Sequence, residues 1–277
     1  MNKAFFLIPA LIFTLFACKN DPKNTSPNGA PAHIQPGEQA NPTVLAGHWI
    51  ALDFCAFASQ YGSVLQAMNN SHIPYAYSFT FNPARPDSIT CYNSFESWTL
   101  PVKMRADTIE VLEARPGKSV FLIYHSQEEK DIMMVDPTGP RTRLSRFIKS
   151  KAGTPDGRTA FIMALNHHLF SGVFTPLGKS SNEKINFFPH GAIQGMKEYD
   201  RYEVCSGGDC FVAGQDIDVV TLYQAKNKDA TSKFYGYRYS AQNDTLSLYN
   251  LVNTNPQEKG MYKVAAPAYK FLRKKPD

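Results

Sequence analysis

The sequence predicts a mainly β protein, an antiparallel barrel or sandwich repeated as two tandem related domains, with one short helix after the first strand. Three observations carry this. Short strand-like segments recur, punctuated by Asn82-Pro83, Arg115-Pro116-Gly117 and Pro137-Thr138-Gly139-Pro140. One early stretch instead repeats its apolar residues at helical spacing, with Phe54, Phe57, Tyr61, Leu65 and Met68 on one face. The second half then echoes the first. Leu45-Ala46-Gly47-His48-Trp49 is answered by Phe170-Ser171-Gly172-Val173-Phe174, and Asp107-Thr108-Ile109-Glu110-Val111 by Asp244-Thr245-Leu246-Ser247-Leu248.

The chain opens with Lys3 and the apolar run Ala4 to Phe16. That run is too short to span a bilayer, which takes about 20 residues, but suits the hydrophobic region of a secretory signal. It closes on Leu15-Phe16-Ala17-Cys18, a small residue before a cysteine with Leu three positions upstream. This pattern resembles the bacterial lipoprotein signal family, with a bulkier residue, Phe16, than is common at its position. The resemblance implies that residues 1–17 are removed, that the Cys18 thiol carries a diacylglycerol, and that the new N-terminus is acylated with palmitate-type chains. The protein is then held to the cell outer membrane by lipid, on its periplasmic or its surface face. Residues 18–41 are rich in Pro, Asn, Gly, Ser, Thr and Gln and almost free of apolar side chains. Such a segment cannot offset its ordering entropy, so it reads as a disordered tether with a reach of roughly 25–30 Å.

The rest has ordinary globular composition, with 43% hydrophobic and 19% charged residues. A net charge of +5 is mild, and the basic cluster Lys270, Arg273, Lys274 and Lys275 reads as a solvated last strand and tail. A nucleic-acid partner is not expected. Of five cysteines, one is the lipid acceptor, and an even remainder in an exported chain suggests two disulfides. The simplest pairing within halves is Cys55–Cys91 and Cys205–Cys210.

The first folded domain, 42–150, opens on the strand-like run Val44 to Leu52. Asp53 follows as a helix N-cap, and the helical face ends near Asn69-Asn70. Strands are expected at Tyr75–Phe81, Ser88–Tyr92, Trp98–Met104, Thr108–Leu112, Ser119–Tyr124, Asp131–Val135 and Arg141–Lys149. Residues 151–168 read as a linker, because Lys151 to Arg158 sets Gly153, Pro155 and Gly157 among polar residues. Within it, the apolar residues from Ala160 onward leave helix against strand open. The second domain, 169–277, carries strand candidates at Lys184–Phe188, Met196–Val204, Ile217–Gln224, Lys233–Tyr239, Thr245–Leu251, Met261–Val264 and Tyr269–Arg273.

Gly-x-Trp on a first strand, a helix after it, about seven short strands and a final basic strand together resemble the lipocalin-like (calycin) superfamily. The resemblance implies a β-barrel in each half. In that family the Trp plugs the base and a cation from the last strand packs across it. The matching positions are Gly47, Trp49 and Arg143 or Arg146 in the first half, and Gly172, Phe174 and Arg273 in the second. A barrel leaves no sheet edge and can hold one small ligand.

Chemistry-bearing motifs are few. Cys205-Ser206-Gly207-Gly208-Asp209-Cys210 reads as a disulfide-stapled hairpin tip, with a redox pair or an anion-binding backbone nest as alternatives. The seven histidines lack chelating spacing, and Asp209, Asp216 and Asp218 lack the dense loop of a calcium site, so no metal is expected. There is no Gly-x-Ser-x-Gly elbow, phosphate loop or dinucleotide fingerprint, so no cofactor and no catalytic residue is assigned. Tyr235, Tyr237 and Tyr239 alternate and so share one strand face, either as cross-strand packing or as the wall of a ligand cavity. The expected function is non-catalytic binding of a hydrophobic or amphipathic small molecule or of an envelope component. The alternatives are a structural module that binds envelope proteins and, third, a hydrolase.

Overall fold

In a computed structural model, the structure describes residues 39–277 except 71–72, 127–129, 179–182, 208–216, 241, 256, 258–260 and 275–277. The signal, Cys18, most of the tether and Cys210 therefore lie outside the described residues. A short helix α1 (Pro42–Leu45) leads into a closed barrel of eight antiparallel strands. These are β1 (Gly47–Ala51), β2 (Ser78–Phe81), β3 (Ser88–Tyr92), β4 (Ser97–Arg105), β5 (Thr108–Arg115), β6 (Lys118–His125), β7 (Asp131–Asp136) and β8 (Arg143–Lys149). Alternation decides which face is buried: Ile109 and Val111, then Val120, Leu122 and Tyr124, then Ile132 and Met134 point to the core. Closure comes from β1, which pairs with β2 on one side (Trp49↔Phe79) and with β8 on the other (Trp49↔Lys149).

The second half forms an eight-stranded, barrel-like antiparallel sheet in the order β11-β10-β9-β16-β15-β14-β13-β12. Its strands are β9 (Gly172–Pro176), β10 (Ile185–Phe187), β11 (Ile193–Gln194), β12 (Arg201–Val204), β13 (Asp218–Tyr223), β14 (Lys233–Ser240), β15 (Thr245–Asn253) and β16 (Tyr262–Arg273). First and last strands pair here too (Phe174↔Arg273). The remaining seam is bridged at Ala192↔Arg201, with Tyr202 N–H donating to the Gly191 carbonyl and Ile193 N–H to the Asp200 carbonyl, each at 2.8 Å.

The two bases are built alike. Gly47 (φ +113°) and Gly172 (φ +145°) take backbone conformations that favour glycine, each two residues before a fully buried aromatic, Trp49 or Phe174. Arg273 lies 5.2 Å from the Phe174 ring centre and donates to the Leu169 carbonyl at 2.6 Å. Lys149 lies 5.8 Å from the Trp49 ring centre and donates to the Val44 carbonyl at 3.0 Å. The cation across Trp49 is thus Lys149, and not Arg143 or Arg146 as the family resemblance implied. The register explains it: Trp49 faces Lys149, whereas Arg143 starts β8 at the opposite end and Arg146 pairs with Asp131 at 2.5 Å.

The helical face after β1 is split in two. α2 (Leu52–Tyr61) ends at Gly62, and α3 (Val64–Asn69) restarts behind Ser63, whose hydroxyl accepts from Gln66 N–H at 3.0 Å. Gly62 has φ +62°, and a Cβ there would sit 2.6 Å from the Tyr239 carbonyl oxygen, so the helix break is where the second half touches the first. Asp53 is not the N-cap; it lies inside α2 and accepts from the Arg146 backbone N–H at 2.9 Å.

The predicted linker is largely a helix, α4 (Gly157–Leu169), capped by Asp156, which accepts from Thr159 N–H at 2.7 Å. Ala160, Phe161, Leu165 and Leu169 bury one face of it, and Phe161 stacks on Tyr77 with centroids 4.5 Å apart. The described residues all fall within one compact unit, Gly37–Asp277. Gly153 and Pro155 lie just ahead of the Asp156 cap at the start of this helix.

Cys55 on α2 and Cys91 on β3 are free, buried thiols, so the expected bond between them is not formed. They sit on separate elements within the apolar core, where burial pushes each thiol up to about 12 and holds it protonated. Cys205 is disulfide-bonded, and its expected partner, Cys210, lies outside the described residues.

Asp218 on β13 joins the halves. Its Oδ1 accepts from the Val64 and Leu65 N–H groups at 2.8 and 3.0 Å, closing the first turn of α3. Burial raises its carboxyl above the ordinary range, while hydrogen bonds from Ser63, Leu65, Val64 and Tyr237 pull it part of the way back. A raised folded value means that the native state binds this proton more tightly than the unfolded chain does. The contribution is complete below the unfolded value and is lost as pH rises through the folded one. Asp218→Asn keeps an acceptor oxygen and cannot ionise. Wild type is therefore expected to lose melting temperature relative to Asp218→Asn on going from about pH 4 to about pH 7. Parallel thermal melts of the two proteins check this, and a relative gain would overturn it.

Candidate functional site

Trp49 is buried at the end of the first barrel where β8 finishes, and the connections that follow β1, β3, β5 and β7 lie at the other end. Phe79, Phe81, Leu122, Tyr124 and Phe147 fill the interior. At the mouth a cleft of about 390 Å³ remains, walled by Met68, Ile73, Tyr75, Tyr77, Phe95 and Trp98 and by the polar groups of Arg115, Asp136 and Arg143.

Each wall is positioned by local backbone. A register shift in β5 between Val111 and Arg115, with Glu113 at φ +54°, re-aims the end of that strand. There the Ala114 carbonyl accepts from the Tyr75 hydroxyl at 2.7 Å, and Tyr75 in turn accepts from Trp98 Nε1 at 3.1 Å. The Tyr75 and Trp98 rings meet edge-on at 5.9 Å. Burial raises the Tyr75 hydroxyl above its ordinary range, so it is neutral and able to donate. Phe95 is 55% exposed on a turn held by Asn93 Oδ1, which accepts from Phe95 and Glu96 N–H at 2.8 Å each.

The polar wall is asymmetric. Asp136 is buried, and its Oδ1 accepts from Thr138 N–H at 2.9 Å and from the Thr138 hydroxyl at 2.5 Å. Arg115 Nε donates to the same Thr138 hydroxyl oxygen at 2.9 Å, and Arg143 Nη1 makes a long contact of 3.4 Å to the Ile73 carbonyl. The carboxylate is thus engaged with its own turn, while two guanidinium groups border the cleft. The second half reaches this rim, where the Ser94 and Ser206 hydroxyls lie 2.8 Å apart and Gly207 borders the cleft.

Tyr235, Tyr237 and Tyr239 do share one face, but they lie on the second sheet and away from this cleft. Tyr235 and Tyr237 are fully buried; the Tyr235 hydroxyl meets that of Tyr199 at 3.0 Å, and the Tyr237 ring packs edge-on against Phe170 at 5.0 Å. Tyr239 donates to Asp244 at 3.2 Å, and the Arg273 guanidinium lies 4.8 Å from its ring centre. Tyr237 and Tyr239 border a separate cleft of about 440 Å³ between the halves, with Tyr61, Gln66 and Arg238. Two of the three are therefore core, and Tyr239 is half-buried at the junction.

Sequence reasoning missed Tyr75, Phe95, Trp98, Arg115 and Arg143 as a group. Trp98 was discoverable from strand parity, since it shares a face with Leu100 and the buried Val102. Among the described residues no group of three or more His, Cys, Asp or Glu side chains is placed to hold a metal ion. Aromatic faces and guanidinium donors suit this cleft to binding an amphipathic molecule. No protein-family model, curated protein or solved structure matches the chain.

Proposed function

We propose that this protein is an outer-membrane lipoprotein, anchored through Cys18, that binds a small hydrophobic or amphipathic molecule at the mouth of its first barrel without transforming it. The observation that carries the reading is the aromatic cleft of about 390 Å³ above a filled barrel interior. That volume lies in the range of small-molecule sites, roughly 300–1,000 Å³. A Cys205–Cys210 staple would hold the second-half loop that touches the rim.

The two tryptophans give a test. Trp49 is 1% exposed at the base, so a ligand at the mouth should perturb Trp98 emission alone. Trp98→Ala is expected to weaken binding of the neutral fluorophore 1-aminoanthracene about tenfold, the equivalent of about 1.4 kcal/mol of lost aromatic contact. Unchanged affinity in this variant would overturn the site.

A second reading, a module that docks an envelope protein, is favoured by Phe95 and Leu144, which stand 55% and 64% exposed at the same rim. Crosslinking from position 144 in intact cells to a defined protein band, with no small molecule co-purifying, would select it.

A further inference from the structure

We infer that the mouth cleft selects single-chain amphiphiles with an anionic head, the head being held by Arg115 and Arg143. This rests on the binding reading above and adds the ligand's charge and shape.

The charge follows from how the polar wall is spent. Among the described residues Asp136 is the one carboxylate bordering the cleft, and it is buried with its Oδ1 accepting from both donors of Thr138. Arg115 gives Nε to Thr138, and Arg143 gives one nitrogen to a contact at 3.4 Å, which is a weak bond. Among the described residues their remaining donors meet no comparable acceptor. Arg143 also borders an adjoining recess with Arg141 and the exposed Leu144, so among the described residues three guanidinium groups and one engaged carboxylate surround the opening. A guanidinium is always charged and matches the paired oxygens of carboxylate or phosphate. Both cleft arginines belong to strands, at the end of β5 and the start of β8, so the barrel fixes their spacing.

The shape follows from the other wall. Met68, Ile73, Tyr75 and Trp98 offer an apolar lining that meets the guanidinium groups at the opening, a polarity step that suits a head joined to a tail. About 390 Å³ is near the lower end of small-molecule sites and holds one chain or ring system; a two-chain lipid is too large. The filled barrel interior blocks deeper insertion.

The test uses the full protein and displacement of bound 1-aminoanthracene by probes sharing one twelve-carbon tail, below their micelle concentrations. Laurate and dodecyl phosphate are expected to displace it at least about tenfold more tightly than dodecyl maltoside or dodecyltrimethylammonium, and this preference should shrink as salt is raised. Laurate and dodecyl phosphate together separate carboxylate from phosphate heads, and either one binding tightly supports the assignment. In Arg115→Gln/Arg143→Gln the preference should fall below about threefold while dodecyl maltoside binds as before, with Arg143→Gln alone intermediate. Equal affinities for all four heads in wild type would overturn the head assignment but leave the binding reading standing. So would a preference that survives the double variant. Inorganic phosphate competing as well as dodecyl phosphate would mark a free-anion site and overturn the amphiphile. Failure of the fluorophore and of every probe to bind would remove the binding reading itself.

Discussion

Replacing Cys18 by serine is expected to abolish acylation and processing together, leaving a full-length precursor that carries no fatty-acid label. Lipid transfer to this class of signal needs a thiol, and a hydroxyl at the same position is not an acceptor. The effect on anchoring is large because each buried methylene contributes about 0.8 kcal/mol, so several acyl chains hold a protein to the membrane where one is marginal. Metabolic labelling with a fatty-acid analogue, followed by membrane fractionation, reads both consequences. Label at the wild-type level in Cys18→Ser would overturn the anchor.

The second large effect is expected from removing α4 from the first barrel. A fragment spanning 42–150 ends after β8 and lacks the helix that covers Tyr77. It is expected to be unfolded or molten, whereas 42–170 should be folded. Phe161, Leu165 and Leu169 are each no more than 2% exposed, and burying a large apolar side chain stabilises by about 1.5–3 kcal/mol. Removing three such contacts costs roughly 5–9 kcal/mol, comparable with the whole stability of a domain, about 5–15 kcal/mol. Loss of the Asp218 cap on α3 is common to both fragments and costs about 1 kcal/mol, too little to separate them. Circular dichroism and urea unfolding of the two fragments decide it. Cooperative unfolding of 42–150 at the same midpoint as 42–170 would show that α4 is dispensable. The same geometry directs trypsin to Lys151, which is exposed, before Arg158, which lies half-buried in the first turn of α4.

Strand parity made much of the architecture legible. Successive side chains alternate across a strand, so patterns such as Val120, Leu122 and Tyr124 in Lys118–His125 announce a buried face without any partner being known. The echo between Gly47-His48-Trp49 and Gly172-Val173-Phe174 proved to be structural, with each aromatic covered by the last strand of its own sheet. Some boundaries failed because pairing outweighs local pattern. Met261–Val264 and Tyr269–Arg273 are one strand, Tyr262–Arg273, carried through Pro267 by a register irregularity against β15. Ala160 to Leu169 was ambiguous because a short apolar run has no distinct period until the Asp156 cap and a partner surface are known.

The candidate site lies further from what a sequence can disclose. Tyr235, Tyr237 and Tyr239 drew notice because residues two apart on a strand face the same way, a local rule. Whether that face is a cavity or a core depends on what stands opposite, and Phe170 and Tyr199 stand opposite. The mouth cleft joins Met68, Tyr75, Trp98, Arg115 and Arg143, five residues from separate segments that meet only because the barrel closes. The free thiols of Cys55 and Cys91 make the same point, since an even count permits a bond that burial on separate elements does not form. Most strands, the glycine-marked bases and the doubling of the fold are legible in the chain itself, because they rest on side-chain alternation and backbone sterics within a few residues. Tertiary structure alone decided which aromatics line space and which fill it, that α4 is part of the first barrel's core, and that Lys149 covers Trp49. Those are properties of closure, in which β1 meets β8 from the far end of the domain with no turn between them to fix the pairing.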